Sequence, residues 1–374
     1  MQISTYPHAA RPIQRSVPPS SKLPFRADTA QAKHVLPPKH TSAPRFGWGA
    51  QSHHAFHQKI LNDGGLKSPS LRNFVESNTA LINGYSDSLH LYEKGRNHHA
   101  HLEDLMGPSY KTKDDVPTFE AVKNRFTPDL KERIKNMIPA QPRTYHQLEN
   151  THNKRNALYQ TMDAYLKLVS RFRDIAHHKP ATEFQQMEVK SDLVRLTARL
   201  SHYLADLYQP LHLTNYYTWT LPVRDENERP LSLHPILEYD PDMNNLYHEW
   251  GVTPFGRQNL PGTTVGSGSA MATTEFEAQL LRDIRQSYAK VADMAQADAG
   301  LRQQLNNGEN ADSQAYLRDL KSAVAPIMIR QAEKGAHMLV KALESAYQKS
   351  GRPDLTTLEP VELEWYSTLA NKPV

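Results

Sequence analysis

The chain has 374 residues and no cysteine, which excludes disulfides, thiolate metal sites, iron–sulfur clusters and a cysteine nucleophile. The net charge of +4 is local: residues 1–47 hold seven Lys or Arg against one acid, which leaves 37 basic and 39 acidic side chains in residues 48–374. A body with a charge of −2 has no strong nucleic-acid signature. No apolar run approaches the about 18 residues of a membrane span, so we expect a soluble protein without a transmembrane segment.

Residues 1–47 contain eight of the 26 prolines and show no apolar periodicity. Such a segment cannot bury enough apolar surface to offset its chain entropy, so we predict a disordered basic tail. It lacks the apolar stretch of a secretory signal peptide. A polar, acid-poor start is compatible with a specialised bacterial export signal, in which case the protein is a secreted effector; otherwise we expect it in the cytoplasm.

From residue 48 onward apolar residues recur three or four apart, which predicts helices rather than strands. The helical segments lie around 56–61, 119–126, 158–169, 184–207, 275–296 and 314–348. Pro326 is predicted to kink or split the last of them. Residues 220–274 are rich in Pro and Gly with little periodicity, which predicts an irregular functional insertion. The fold class is therefore all-α, with one multi-helix domain over 48–374 behind the tail.

Near the end of the 184–207 helix, His202 and Asp206 are four residues apart and project from one face. Pro210 then ends the helix, so His212 can turn back toward them. His234 and Glu238 repeat the spacing of four, while Asp87, His53 and a group of histidines at 97–104 lie upstream. Their nitrogen and oxygen donors suffice for two or three cations such as Zn²⁺.

The order and spacing of these residues resemble the zinc-dependent phospholipases C of bacteria, which share an all-α fold and a trinuclear zinc site with fungal and plant single-strand nucleases. Residues 202–212, HYLADLYQPLH, are similar to the family's HYxGDxxQPxH, with Ala205 where glycine is usual. Trp48 and His53 match a Trp-x-x-x-x-His start. His101 matches the first residue of a His-aromatic-x-Asp motif with Leu102 at the aromatic position, and His99 is the alternative.

The resemblance implies ligands for two or three zinc ions. The first ion would be held by Asp87, His101, His202 and Asp206, the second by His212, His234 and Glu238, and the third by His53, Asp206 and the backbone nitrogen and carbonyl of Trp48. Asp87 would also act as the catalytic base. Because 47 residues precede Trp48, its nitrogen is an amide and not an amine, so we expect the third site to be weak unless the chain is cleaved after Gly47.

Paired cations lower the pKa of a bound water toward 7 and neutralise charge on a phosphoryl group. We therefore expect a hydrolase of phosphoric diesters, of phospholipase C type, that cuts the glycerol–phosphate ester of a phospholipid and contacts membrane surfaces transiently. Glu238 favours this function, since the nucleases have Asp there. Tyr203, Tyr208 and Tyr216 either form an aromatic substrate-binding wall or pack in the core and rim.

Two other functions stay open. The first is a single-strand nuclease or nucleotidase of the same superfamily, because the Gln-Pro-Leu-His sequence at 209–212 is equally typical of the nucleases. The second is a catalytically silent helical interaction protein with structural metals. Beside these candidates, His54 and His57 are expected to be exposed on the first helix, and His248 to be a hydrogen-bonded packing residue.

Overall fold

The structure is a computed structural model. It describes residues 50–62, 65–92, 98, 100, 157–178, 180, 182–214, 219–252, 271–306, 313–356 and 358. All of them belong to one compact unit, Pro44–Val374. Helix accounts for 82% of the described residues, which confirms the predicted all-α class. Within these residues, every helix is too short or too polar to cross a membrane.

The elements follow one another in a simple order. They are α1 (Ala50–Asn62), α2 (Pro69–Ser77), α3 (Thr79–Tyr92), α4 (Ala157–His177), α5 (Glu183–Tyr208), a 3₁₀ turn (Pro210–Leu213), β1 (Thr220–Arg224), β2 (Pro230–Ser232), α6 (Leu233–Tyr239), α7 (Pro241–Val252), α8 (Thr273–Tyr288), α9 (Lys290–Asn306) and α10 (Ser313–Lys349). Helix α5 lies at the centre, in contact with α1, α3, α4, α8 and α10.

Local sequence sets both ends of α5. At its start Thr182 and Gln185 form a reciprocal capping box, in which each side chain accepts a hydrogen bond from the other residue's backbone N–H. At its end Gln209 is extended, and Pro210 begins the 3₁₀ turn. The helix predicted at 184–207 is thereby confirmed, and its end is fixed beside His212.

Two helix predictions are wrong in detail. The segment 275–296 is two helices, α8 and α9, separated at Ala289, although neither Gly nor Pro marks the break. Helix α10 continues through Pro326, so the predicted split does not occur, while the alternative, a kink, stays a prediction. Pro326 lies on the exposed side while Val324 and Met328 are fully buried. Proline has no N–H to donate within the helix, but this position faces solvent, and the residues on either side of it pack in the core. The helix therefore continues.

The insertion predicted to be irregular is ordered over much of its length. Residues 220–232 form the antiparallel hairpin of β1 and β2, and α6 and α7 follow. Asp298 of α9 ties the hairpin to the core, since it accepts hydrogen bonds from Trp219 and Arg302, and Arg302 donates to the Thr220 carbonyl. The prediction of little regular structure is therefore wrong for 220–252, and residues 253–270 lie outside the described residues.

Close packing fixes α1 against its neighbours. A Cβ at Gly251 of α7 would lie 2.9 Å from the Ala55 Cα, and a Cβ at Gly335 of α10 would lie 2.7 Å from the Phe56 ring. Both helices thus approach α1 at distances that only glycine allows. This packing fixes the position of α1, which carries His53.

Candidate metal centre

Six buried side chains form two groups of potential metal ligands. The first cluster consists of His53, His202 and Asp206; the second cluster consists of His212, His234 and Glu238. Within each cluster the donor atoms lie within 4.8 Å of one another, and each could hold a metal ion. The sequence had singled out all six residues, and the structure brings them together.

The first cluster joins α1 to the end of α5. The rings of His53 and His202 stack with their centroids 4.0 Å apart. His202 Nε2 lies 3.5 Å from Asp206 Oδ2, and His53 Nε2 lies 3.8 Å from Asp206 Oδ1. His202 and Asp206 are completely buried, and the spacing of four on one helix places both on the same face.

His98 also contacts the first cluster, whereas the sequence had favoured His101, with His99 as the alternative. Its Nδ1 atom lies 2.8 Å from His202 Nε2 and 3.1 Å from Asp206 Oδ2. The side chain is fully buried. It is the described member of the histidine group at 97–104 that contacts the cluster, whereas His99 and His101 lie outside the described residues.

Two polar contacts with His212 hold the segment that carries His98 in place. The Ala100 N–H donates to the His212 carbonyl at 2.9 Å, and His212 Nδ1 lies 2.7 Å from the His98 carbonyl. These two contacts join segments 112 to 114 residues apart in sequence. No helical or strand periodicity encodes such a contact, so the sequence carried no signal that separates His98 from His99 or His101.

The second cluster is compact. His212 Nε2 and His234 Nε2 lie 3.0 and 2.9 Å from Glu238 Oε1, and the two nitrogens are 2.9 Å apart. Burial lowers the pKa of His234 to about 3 and raises that of Glu238 to about 8, the latter against the opposing effect of His212. A neutral imidazole is the form that binds metal, and a buried carboxylate requires a nearby cation to stay ionised.

Asp206 and His212 connect the two clusters. Asp206 Oδ1 lies 3.6 Å from His212 Nδ1, while His212 Nε2 contacts Glu238. Gln209 lies between them: its side chain accepts from the Leu211 N–H, and its Nε2 atom is 3.5 Å from Glu238 Oε1. The short Gln-Pro turn therefore sets the spacing of the two clusters.

Further side chains orient the ligands from outside. Ser86 Oγ lies 3.1 Å from His202 Nδ1, which leaves Nε2 directed at Asp206. Tyr247 is buried, and burial together with the charge of Glu238 raises its pKa well above the ordinary value. The contact from Ser86 is of the kind that fixes the tautomer and orientation of a ligating histidine.

Asp87 is positioned differently from the expectation. Its Oδ2 atom lies 3.0 Å from His54 Nε2, and the pair is about a third exposed. Asp87 is not among the residues whose donors meet in either cluster. The pair thus forms a partly accessible site beside α1. His54 was predicted to be exposed, but it is only partly exposed and contacts Asp87.

Three other expectations are corrected. His57 is buried and not exposed: its Nε2 atom lies 2.6 Å from Ser201 Oγ, and burial lowers its pKa to about 4. Tyr203 and Tyr208 are both completely buried, so we assign them to packing and not to an accessible substrate wall. His248 is exposed on α7 and not packed.

Three predicted site residues, Trp48, His101 and Tyr216, lie outside the described residues, as do His99 and Leu102. The basic tail 1–47 does so too. Their predicted roles therefore stay predictions.

The donors fit zinc. Zn–N and Zn–O bonds of about 2.0–2.2 Å at tetrahedral angles place neighbouring ligand atoms about 3.3 Å apart. The donor separations in the second cluster are 2.9 to 3.0 Å, and those of His98, His202 and Asp206 are 2.8 to 3.5 Å. In addition, Glu238 Oε2 is buried with no hydrogen-bond partner among the described residues. A cation at this point would contact His212 Nε2, His234 Nε2 and the Glu238 carboxylate together.

Comparison with known proteins adds nothing to this geometry. No protein-family model, curated protein or solved structure matches the chain.

Proposed function

We propose that this protein is a zinc-dependent phosphodiesterase of phospholipase C type. The observation that carries the proposal is the pair of buried clusters, which share the contact between Asp206 and His212. Two adjacent cations are the arrangement used to hydrolyse phosphate esters, since they clamp the phosphoryl oxygens. When bound, zinc would supply a water of lowered pKa and would neutralise charge on the phosphoryl group.

The protein's own residues have separable roles in this proposal. His53, His98, His202 and Asp206 would hold one ion, and His212, His234 and Glu238 another. Asp206 would lie close to both ions, because its two oxygens face His202 and His212. The outer contact from Ser86 keeps the His202 ring in position.

Asp87 is the proposed proton acceptor. Its carboxylate is about one third exposed, in contrast to the buried cluster carboxylates, so a substrate can approach it. His54 contacts Oδ2, while Oδ1 is a buried atom with no hydrogen-bond partner among the described residues. The Asp87 carboxylate would take the proton of the attacking water.

The substrate class rests on the resemblance and on Glu238. We propose a phospholipid substrate, from which the enzyme releases the phosphorylated headgroup and meets the membrane surface only transiently. The alternatives are a polynucleotide substrate and no substrate at all.

The test compares substrates on the full-length protein purified with zinc. Release of phosphocholine from phosphatidylcholine vesicles is measured beside degradation of single-stranded DNA at equal enzyme concentration, with and without a chelator. Glu238→Gln removes the charge of a proposed ligand, and Glu249→Gln, exposed on α7, is the matched control.

We expect chelator-sensitive release of phosphocholine that Glu238→Gln lowers about a thousandfold and Glu249→Gln leaves unchanged. Faster cleavage of DNA would assign the nuclease function. Bound zinc without hydrolysis of either substrate would assign a silent interaction protein, and absence of bound zinc would overturn the metal centre.

A further inference from the structure

A groove of about 300 Å³ lies between α4 and α5, along the part of α5 that precedes His202. Four cationic side chains line it: Lys167, Arg171, Arg195 and Arg199. Two carboxylates lie in the same lining. Since the body of the chain has a net charge of −2, this concentration of cations is local.

The cations form two facing rows. Lys167 and Arg171 are four residues apart on α4, and Arg195 and Arg199 are four apart on α5, so each pair lies on one helix face. Like charges at this spacing destabilise a helix. An anion between the rows would relieve the repulsion on both helices at once.

The carboxylates compensate this charge unevenly. Asp192 pairs closely with Arg171, yet its nearest approach to Arg195 is 3.9 Å. Lys167 is paired with Asp163 at 2.9 Å but is 58% exposed. The second carboxylate, Asp174, also approaches Arg171, at 3.9 Å. The charge of Arg195 is therefore less compensated than that of Arg171.

The guanidinium groups are held in place by aromatic rings. The Arg195 guanidinium carbon lies 5.8 Å from the Tyr85 ring centroid, and that of Arg199 lies 5.8 Å from the Tyr203 ring centroid. Arg199 also donates to the Gln160 side-chain carbonyl at 2.6 Å. A guanidinium that is already ordered loses less entropy on binding, and its planar fork matches two phosphate oxygens.

We propose that this groove binds a phosphate group, presented by a soluble phosphomonoester or by a phosphomonoester lipid headgroup. Arg195 and Arg199 from α5 and Lys167 from α4 are its ligands, and the hydroxyl of Ser170, which also lines the groove, is an additional donor. The proposal is independent of the metal centre and of the reaction proposed for it.

The experiment uses the full-length protein and two probes. Binding of glycerol 3-phosphate is measured by calorimetry, and binding to phosphatidylcholine vesicles with and without phosphatidic acid by sedimentation. The variants are Arg195→Gln, Lys167→Gln and their combination. Arg318→Gln, exposed on α10, is the control, and Asp206→Ala tests whether the phosphate binds at the clusters instead.

We expect Arg195→Gln to weaken binding about tenfold and the double variant further, while Arg318→Gln leaves the affinity unchanged. Binding to the soluble probe alone assigns a soluble ligand, and binding to the phosphatidic acid vesicles alone assigns a lipid headgroup. Circular dichroism checks folding, and the single variants decide if the double variant fails to fold. Absence of binding to both probes, affinity that the Arg195 and Lys167 variants do not change, or affinity lost only with Asp206→Ala overturns the proposal.

Discussion

The first cluster takes its donors from α1 and α5 and is contacted by His98 from a third segment, whereas all donors of the second cluster come from residues 212–238. The first depends on contacts between segments more than 100 residues apart in sequence. The second depends on one turn and one short helix. Two metal sites of similar chemistry can thus have different structural origins, and they should respond differently when a distant or a local contact is removed.

The largest effect is expected from Asp206→Ala, which removes the carboxylate that faces both clusters. We expect loss of metal from both and a decrease in phosphodiesterase rate of about a thousandfold. Zinc content by mass spectrometry and hydrolysis of a chromogenic phosphodiester measure this. Asp319→Ala on α10 is the control, and near-normal zinc in folded Asp206→Ala would contradict the bridging role.

A smaller loss of zinc is expected from variants that change only one cluster. His53→Ala and His234→Ala each remove one imidazole, from the first and the second cluster respectively. We expect each variant to lose about one zinc per chain and to keep the other, because the remaining cluster retains all its donors. Metal content of the two proteins, each serving as control for the other, tests this. Loss of all metal in either variant would show that the clusters bind as one unit.

The smallest effect concerns which histidine completes the first cluster. His98→Ala should weaken zinc binding about ten- to hundredfold, since the side chain contacts both His202 and Asp206. His99→Ala and His101→Ala are compared in the same titration. A harmless His98→Ala beside a strong effect of His101→Ala would restore the assignment made from the sequence.

The fold could be predicted where helical periodicity is strong. The limits of α5 agree with the prediction within a residue or two because its capping box and Pro210 are local signals. The break at Ala289 and the continuity through Pro326 could not be read from the sequence, because packing on distant helices decides them. The hairpin at 220–232 was missed because its strands are three to five residues long.

By itself the sequence determined that His202 and Asp206 share a helix face, that Pro210 turns the chain so that His212 returns, and that His234 and Glu238 form a second pair. Helix geometry fixes such relations within one or two turns. Only the tertiary structure placed His98 against His202, turned Asp87 toward His54 and buried His57 against Ser201. These contacts depend on how distant helices pack, and no short-range spacing encodes that packing.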